Sequence, residues 1–216
     1  MTVQEIRREF LKDMPAVNRK LHYTLFPKIA SLALHASKFP VCTTCRYISP
    51  ERKNRFLLQC TAYKRGDHNH PLISIIGTYD RPDGRYAISL TSPETFEPLH
   101  EIVLIYPPHF FSRYRERFLK DGSLSNDEVM ETFLKRNNGV SVTRMSERFT
   151  ASFAKYVQEG SLVAAGRIAD GNVIARLLPD NVILMLTFLT DGMLRGSQKE
   201  AFEELERARK GARGPK

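Results

Sequence analysis

Three side chains in the middle of this 216-residue chain are suited to handling a phosphate group: His109, Arg113 and Arg117. They lie four residues apart in the run PPHFFSRYRERF. A helix turns about 100° per residue, so each four-residue step drifts by only about 40° and the three line one stripe. Histidine is the side chain that changes charge near neutral pH, and arginine presents a fixed, forked cation. One proton-transfer group beside two permanent cations fits a phosphate-bearing ligand.

The stripe's place on the helix narrows what it can do. Phe110, Phe111, Tyr114 and Phe118 cover an apolar arc about 100° wide that must face a core. Ser112 and Glu116 occupy the opposite, solvated point. The stripe therefore borders the apolar arc and is half-buried at the rim of the core. Two readings follow. The arginines contact a ligand there, or they lie over the phenylalanines and pair with carboxylates such as Glu101, Glu116 or Glu128.

The elements that must position this helix read as an α+β chain. Val3, Ile6, Phe10, Val17 and Leu21 recur at helical spacing through residues 1–40, where Pro15 and Pro27 are expected to cut the helix into pieces. Lys38 to Cys42 reads as irregular. Strand-like runs follow at Arg55–Tyr63, Leu72–Tyr79, Arg85–Thr91 and Glu101–Tyr106, with turn signals at Lys64–Pro71 and Asp80–Gly84. Pro107-Pro108 ends the fourth strand and opens the His/Arg helix.

Ser125 and Glu128 form a capping box for the next helix, which Asn137-Asn138-Gly139 ends. A further helix is expected over 146–158, with Phe149, Phe153 and Val157 on one face. A meander then runs through Leu162–Ile168, an Asp170-Gly171 type I′ turn, Asn172–Leu178 and Val182–Phe188. A closing helix starts near Asp191. The antiparallel strand groups at about 55–106 and 162–188 belong to one domain over 41–206, or to two subdomains meeting near 92–107.

Composition sets limits on partners. The net charge is +9, but residues 207–216 (RARKGARGPK) carry five positive charges and no acid, leaving +4 on the rest. That segment reads as a solvated basic tail adding non-specific attraction to polyanions. The N-terminus is charged from residue 5, and the longest apolar run, Val182 to Leu189, is far shorter than a bilayer span. A soluble, cytoplasmic protein is expected, and three cysteines suit a reducing compartment.

Cys42, Cys45, Cys60 and His68 supply ligand types for a structural zinc. No second CxxC or standard knuckle accompanies them, and Cys60 sits in a strand pattern where a small apolar side chain packs well, so no cofactor is expected. His22, His35 and His100 read as structural or surface residues, and His70 as part of a polar loop. There is no P-loop, GxGxxG, GxSxG or HExxH.

Residues from about Glu101 to Thr190 resemble the RelE/BrnT-like bacterial toxins, whose metal-independent ribonuclease fold is shared with barnase and colicin ribonucleases. The likeness rests on the H-x3-R-x3-R helix at His109, Arg113 and Arg117, the second helix over Ser125–Arg136, and a meander ending at Thr187-Phe-Leu-Thr190. This chain is more than twice the usual length for that group, places a four-strand block before the motif and inserts an extra helix at 146–158.

The resemblance implies attack of an RNA 2′-hydroxyl on its adjacent phosphorus. His109 would be the general acid or base, and Arg113 and Arg117 would stabilise the phosphoryl charge. Arg167, Arg176 and Thr187 would complete the cleft from the sheet. Alternatively, Arg167 and Arg176 sit on the solvated face of a hairpin. The alternative functions are a non-catalytic nucleic-acid or phospholigand-binding module, or a structural or partner-binding protein.

Overall fold

The computed structural model describes residues 2–90, 102–137, 140, 142–145, 153, 156 and 162–212, with side chains to 207. It is an α+β chain of helices and mostly antiparallel strands. The chain divides into two compact units, Met1–Val103 and Leu104–Lys216.

Unit 1 opens with α1 (Val3–Lys20), capped reciprocally by Thr2 and Glu5, then a π-helical turn over Leu21–Leu25 and α2 (Phe26–His35). Neither proline cuts the helix. Pro15 lies inside α1, and Pro27 falls in the first turn of α2, directly after the wide π-turn. A proline lacks an N–H, and a π-turn opens the hydrogen-bond ladder just where that donor is missing.

Four strands follow: β1 (Val41–Ile48), β2 (Arg55–Ala62), β3 (Leu72–Arg81) and β4 (Gly84–Leu90), a continuous antiparallel meander. The sequence missed β1 and reads its start as irregular. Its β-branched and aromatic residues alternate between more and less buried positions and pair with β2 over their whole length. Gly77 of β3 lies under Phe10 of α1, where an added Cβ would come within 3.0 Å of the Phe10 and Phe56 rings. Ile6, Phe10, Val17, Leu21, Leu25 and Ile29 are all essentially inaccessible, which places the buried stripe of the helical layer.

In unit 2, the strand order is β5 (Val103–Tyr106), β9 (Val182–Leu189), β8 (Gly171–Leu178), β7 (Leu162–Ile168) and β6 (Thr143–Arg144). α3 (Pro108–Tyr114) continues into a second π-turn over Arg115–Leu119, and α4 (Asn126–Arg136) carries the expected capping box. Tyr106, Phe110, Phe111, Tyr114, Phe133 and Phe188 form the core under α3 and α4, with neighbouring ring centroids 5.1–5.8 Å apart. A second cluster includes Phe153, Val163, Ile174, Leu186, Leu189 and Phe202.

Three expectations in unit 2 need correction. The loop between β7 and β8 is Ala169-Asp170, since Ile168 pairs with Gly171; neither loop residue has positive φ, so the turn is not type I′. The positive φ falls on Gly171, where a Cβ would meet the Leu189 carbonyl oxygen at 2.6 Å. The closing helix, α5 (Ser197–Ala212), starts later than Asp191, which begins a short 3-10 turn (Asp191–Met193). Most of the segment expected as a tail from 207 continues α5. The expected helix over 146–158 lies outside the described residues, apart from Phe153 and Tyr156. Among the described residues, no helix is long and apolar enough to cross a membrane.

Candidate functional site

The apolar arc of α3 is buried as its spacing requires. Phe110 and Tyr114 are fully enclosed, Phe111 is nearly so, and Phe118 is half-buried. That burial fixes the helix's rotation and puts the stripe along β9. His109 Nε2 donates to the Leu186 carbonyl at 2.9 Å, and Arg113 donates to the same oxygen at 3.1 Å. Arg117 donates to Thr187 Oγ1 at 3.1 Å and to the Phe188 carbonyl.

Two features of the backbone make this match. β9 carries a bulge: Ile174 pairs with Thr187 and Ala175 with Met185, so Leu186 is the extra residue. A bulged residue is left out of the ladder. Its carbonyl is filled by His109 and Arg113 instead. The spacing also fits. A four-residue step of helix advances about 6 Å, and two residues of strand advance about 6.6 Å. Arg113 and Arg117 therefore meet Leu186 and Phe188 in step. The π-turn over Arg115–Leu119 rotates less per residue than an α-helix, which works against the angular drift of the stripe.

His109 is exposed, and Arg113 and Arg117 are half-buried. Among the described residues, neither guanidinium has a carboxylate within ion-pair distance; the bonds to β9 are to neutral acceptors. The pairing with Glu116 or Glu128 weighed from the sequence does not form, and Glu101 lies outside the described residues. Burial, then the like charge of Arg113, pushes the Arg117 guanidinium below its ordinary pKa, while Tyr156 and Glu116 act in the opposite direction. Each guanidinium has five N–H donors, and the bonds to β9 use a single nitrogen of each, Nη1. The remaining donors suit an anion.

The other residues singled out from the sequence are dispersed. Thr187 is fully buried and reaches the stripe only by accepting from Arg117. Arg176 donates its Nε to the Tyr156 carbonyl at 2.8 Å. Arg167 pairs with Asp191 at 3.0 Å and Glu206 at 3.7 Å. It stands opposite Asn172, four residues along β8 from Arg176, so the two arginines are about 13 Å apart along the strands. Cys42 and Cys45 are three positions apart on β1 and point to opposite faces. Cys60 stands opposite Thr43; burial, then Cys42, pushes its thiol up to about 12, which keeps it protonated at neutral pH. His68 lies in a short 3-10 turn with Nδ1 beside the Arg65 carbonyl at 3.1 Å. Among the described residues, no three His, Cys, Asp or Glu side chains are grouped to hold a metal.

Sequence reasoning missed the group that holds α3 in place. Asp170, its side chain 3% exposed, accepts from Tyr114 Oη at 2.6 Å, Arg136 Nη2 at 2.8 Å and Asn137 Nδ2 at 2.9 Å. Its own N–H returns a bond to Asn137 Oδ1. Burial pushes the Asp170 carboxyl up, but hydrogen bonds from Arg136, Tyr114 and Asn137 outweigh it and hold the group below the usual carboxylate range. The Asp-Gly signal marks only a turn, and nothing local shows that the aspartate ties α3, the end of α4 and the β7–β8 hairpin together. Tyr156 was missed as well, because its neighbours carry no motif. Comparison with known proteins finds no family model, no curated protein and no solved structure that matches this chain.

Proposed function

We propose that unit 2 binds the phosphate groups of a nucleic acid through Arg113 and Arg117. One observation carries this reading: two neighbouring, half-buried guanidiniums are held on backbone acceptors with no carboxylate beside them among the described residues. Arg167, by contrast, is neutralised by Asp191 and Glu206. Anchoring on β9 orients the remaining donors before any ligand arrives, which reduces the ordering cost of binding.

The test is binding of a labelled RNA oligonucleotide against salt concentration. Arg113→Gln and Arg117→Gln should each weaken binding and lower the salt slope by about one. An unchanged slope in both folded variants contradicts the reading.

A second reading adds catalysis: metal-independent RNA cleavage in the cytoplasm, by a protein of toxin or mobile-element type. It is favoured by His109, an exposed imidazole held beside the two cations, and by the likeness of residues 101–190 to the RelE/BrnT-like ribonucleases. His109 would move the proton of the attacking 2′-hydroxyl, and Arg113 and Arg117 would meet the developing phosphoryl charge. Thr187 supports the site through Arg117, and Arg176 through Tyr156. RNA incubated with the protein in EDTA should be cut by the wild type and spared by His109→Ala. Equal cleavage by both, or none by either, removes this reading and leaves the binding site.

A further inference from the structure

We infer that the bulged carbonyl of Leu186 sets the tautomer of His109, so that Nδ1 is the nitrogen that exchanges protons with a ligand. The inference deepens the cleavage reading and rests on it for the ligand's hydroxyl, while its structural half stands alone.

A carbonyl oxygen only accepts hydrogen bonds. The 2.9 Å contact from His109 Nε2 to Leu186 O therefore requires the proton on Nε2. In the neutral ring, Nδ1 then carries the in-plane lone pair. No hydrogen bond occupies Nδ1 among the described residues, and the side chain is exposed. Leu186 is available for this role because the bulge leaves it out of the β8–β9 register. The same oxygen accepts from Arg113 at 3.1 Å, so one backbone atom orients both the proton-transfer group and the nearer cation.

In the step itself, Nδ1 takes the proton of the ligand hydroxyl. The hydroxyl oxygen uses the O–H electron pair to bond phosphorus, the P–O5′ bond breaks with its pair on the leaving 5′-oxygen, and that oxygen takes a proton from water. The ring becomes an imidazolium whose Nε2–H still points at Leu186, and the positive charge formed on it strengthens that hydrogen bond. Leu186 contributes as a positioning group and touches no substrate.

Two measurements on the full chain test this. The first reads the protonated nitrogen of His109 by long-range proton–nitrogen NMR with isotope-labelled histidine, at a pH where the ring is neutral. A proton on Nε2 and a bare Nδ1 are expected; a proton on Nδ1 overturns the inference even if RNA is bound or cut. The second compares His109→Gln with His109→Asn. A glutamine amide N–H reaches the place of Nε2 and keeps the Leu186 bond, whereas an asparagine amide stops near Nδ1. His109→Gln should melt with the wild type and still bind the oligonucleotide, while cleavage falls by about 100-fold or more. His109→Asn should melt lower. Cleavage by His109→Gln within about threefold of the wild type, far short of the loss of a proton-transfer group, overturns the role of Nδ1. A wild type that cuts no RNA overturns that role together with the cleavage reading, while the tautomer result still decides whether Leu186 sets the ring.

Discussion

At the scale of single residues, the stripe has two jobs that can be separated. Leu186 O has two side-chain N–H donors, His109 and Arg113, whereas Phe188 O takes its charged donor from Arg117 alone among the described residues, with the Thr187 hydroxyl at a longer 3.4 Å. Arg117→Ala should therefore destabilise the protein by about 1–2 kcal/mol in urea unfolding, a charged donor to a half-buried acceptor having been lost. His109→Ala and Arg113→Ala should each cost less than about 1 kcal/mol, because the other donor remains. The double variant should exceed the sum of the singles, since only then is the oxygen left bare. Additive losses would show that the two side chains do not share that acceptor. The residue types, their spacing and their border position were legible in the sequence because burial of Phe110, Phe111 and Tyr114 dictates the helix's rotation. What they bond to was not legible, because the bulge at Leu186 lies 77 residues from His109 and leaves no local mark.

At the scale of elements, Asp170 connects the β7–β8 hairpin to α3 and the end of α4, and Gly171 sets that hairpin against β9. Gly171→Ala should destabilise by more than about 1 kcal/mol, because the new Cβ meets the Leu189 carbonyl. A Gly171→Ala variant with wild-type stability would contradict the close approach. Asp170→Asn should cost about 2 kcal/mol near neutral pH, since hydrogen bonds to a charged carboxylate are lost. The pH dependence has a defined sign. The folded pKa of Asp170 is depressed, so its contribution is complete above the unfolded carboxylate value of about 3.9 and is lost as pH falls through the lower folded value. Urea midpoints compared at about pH 6 and about pH 3 should converge for wild type and Asp170→Asn on the acid side. A constant gap would contradict the assignment. The capping box of α4 and the strands of unit 2 could be read from sequence because their signals are local. β1 escaped because the Phe39-Pro40 step before it reads as a break, and Pro15 misled because a helix held by Phe10, Met14 and Val17 tolerates one missing donor.

At the scale of the whole molecule, the basic charge has to be separated from the site. Five of the cations that make up the net +9 lie at 207–216, where α5 continues to Ala212. Replacing Arg207, Arg209, Lys210, Arg213 and Lys216 with glutamine should weaken attraction to every polyanion alike, heparin included, and leave the effect of stripe variants intact. If those replacements alone abolish RNA binding, the C-terminal segment is the binding element and the stripe serves the fold. The composition, which reads as strongly basic, hides this division.

The most direct measurement of the central claim follows the arginine side chains themselves. Side-chain Nε–H NMR signals of the full-length protein can be recorded while an RNA oligonucleotide is added in EDTA at moderate salt. The account predicts that the signals of Arg113 and Arg117, with the His109 ring, shift at the lowest RNA concentrations, and that those of Arg167 stay still. Shifts confined to the 207–216 arginines, with Arg113 and Arg117 unmoved at saturation, would contradict it.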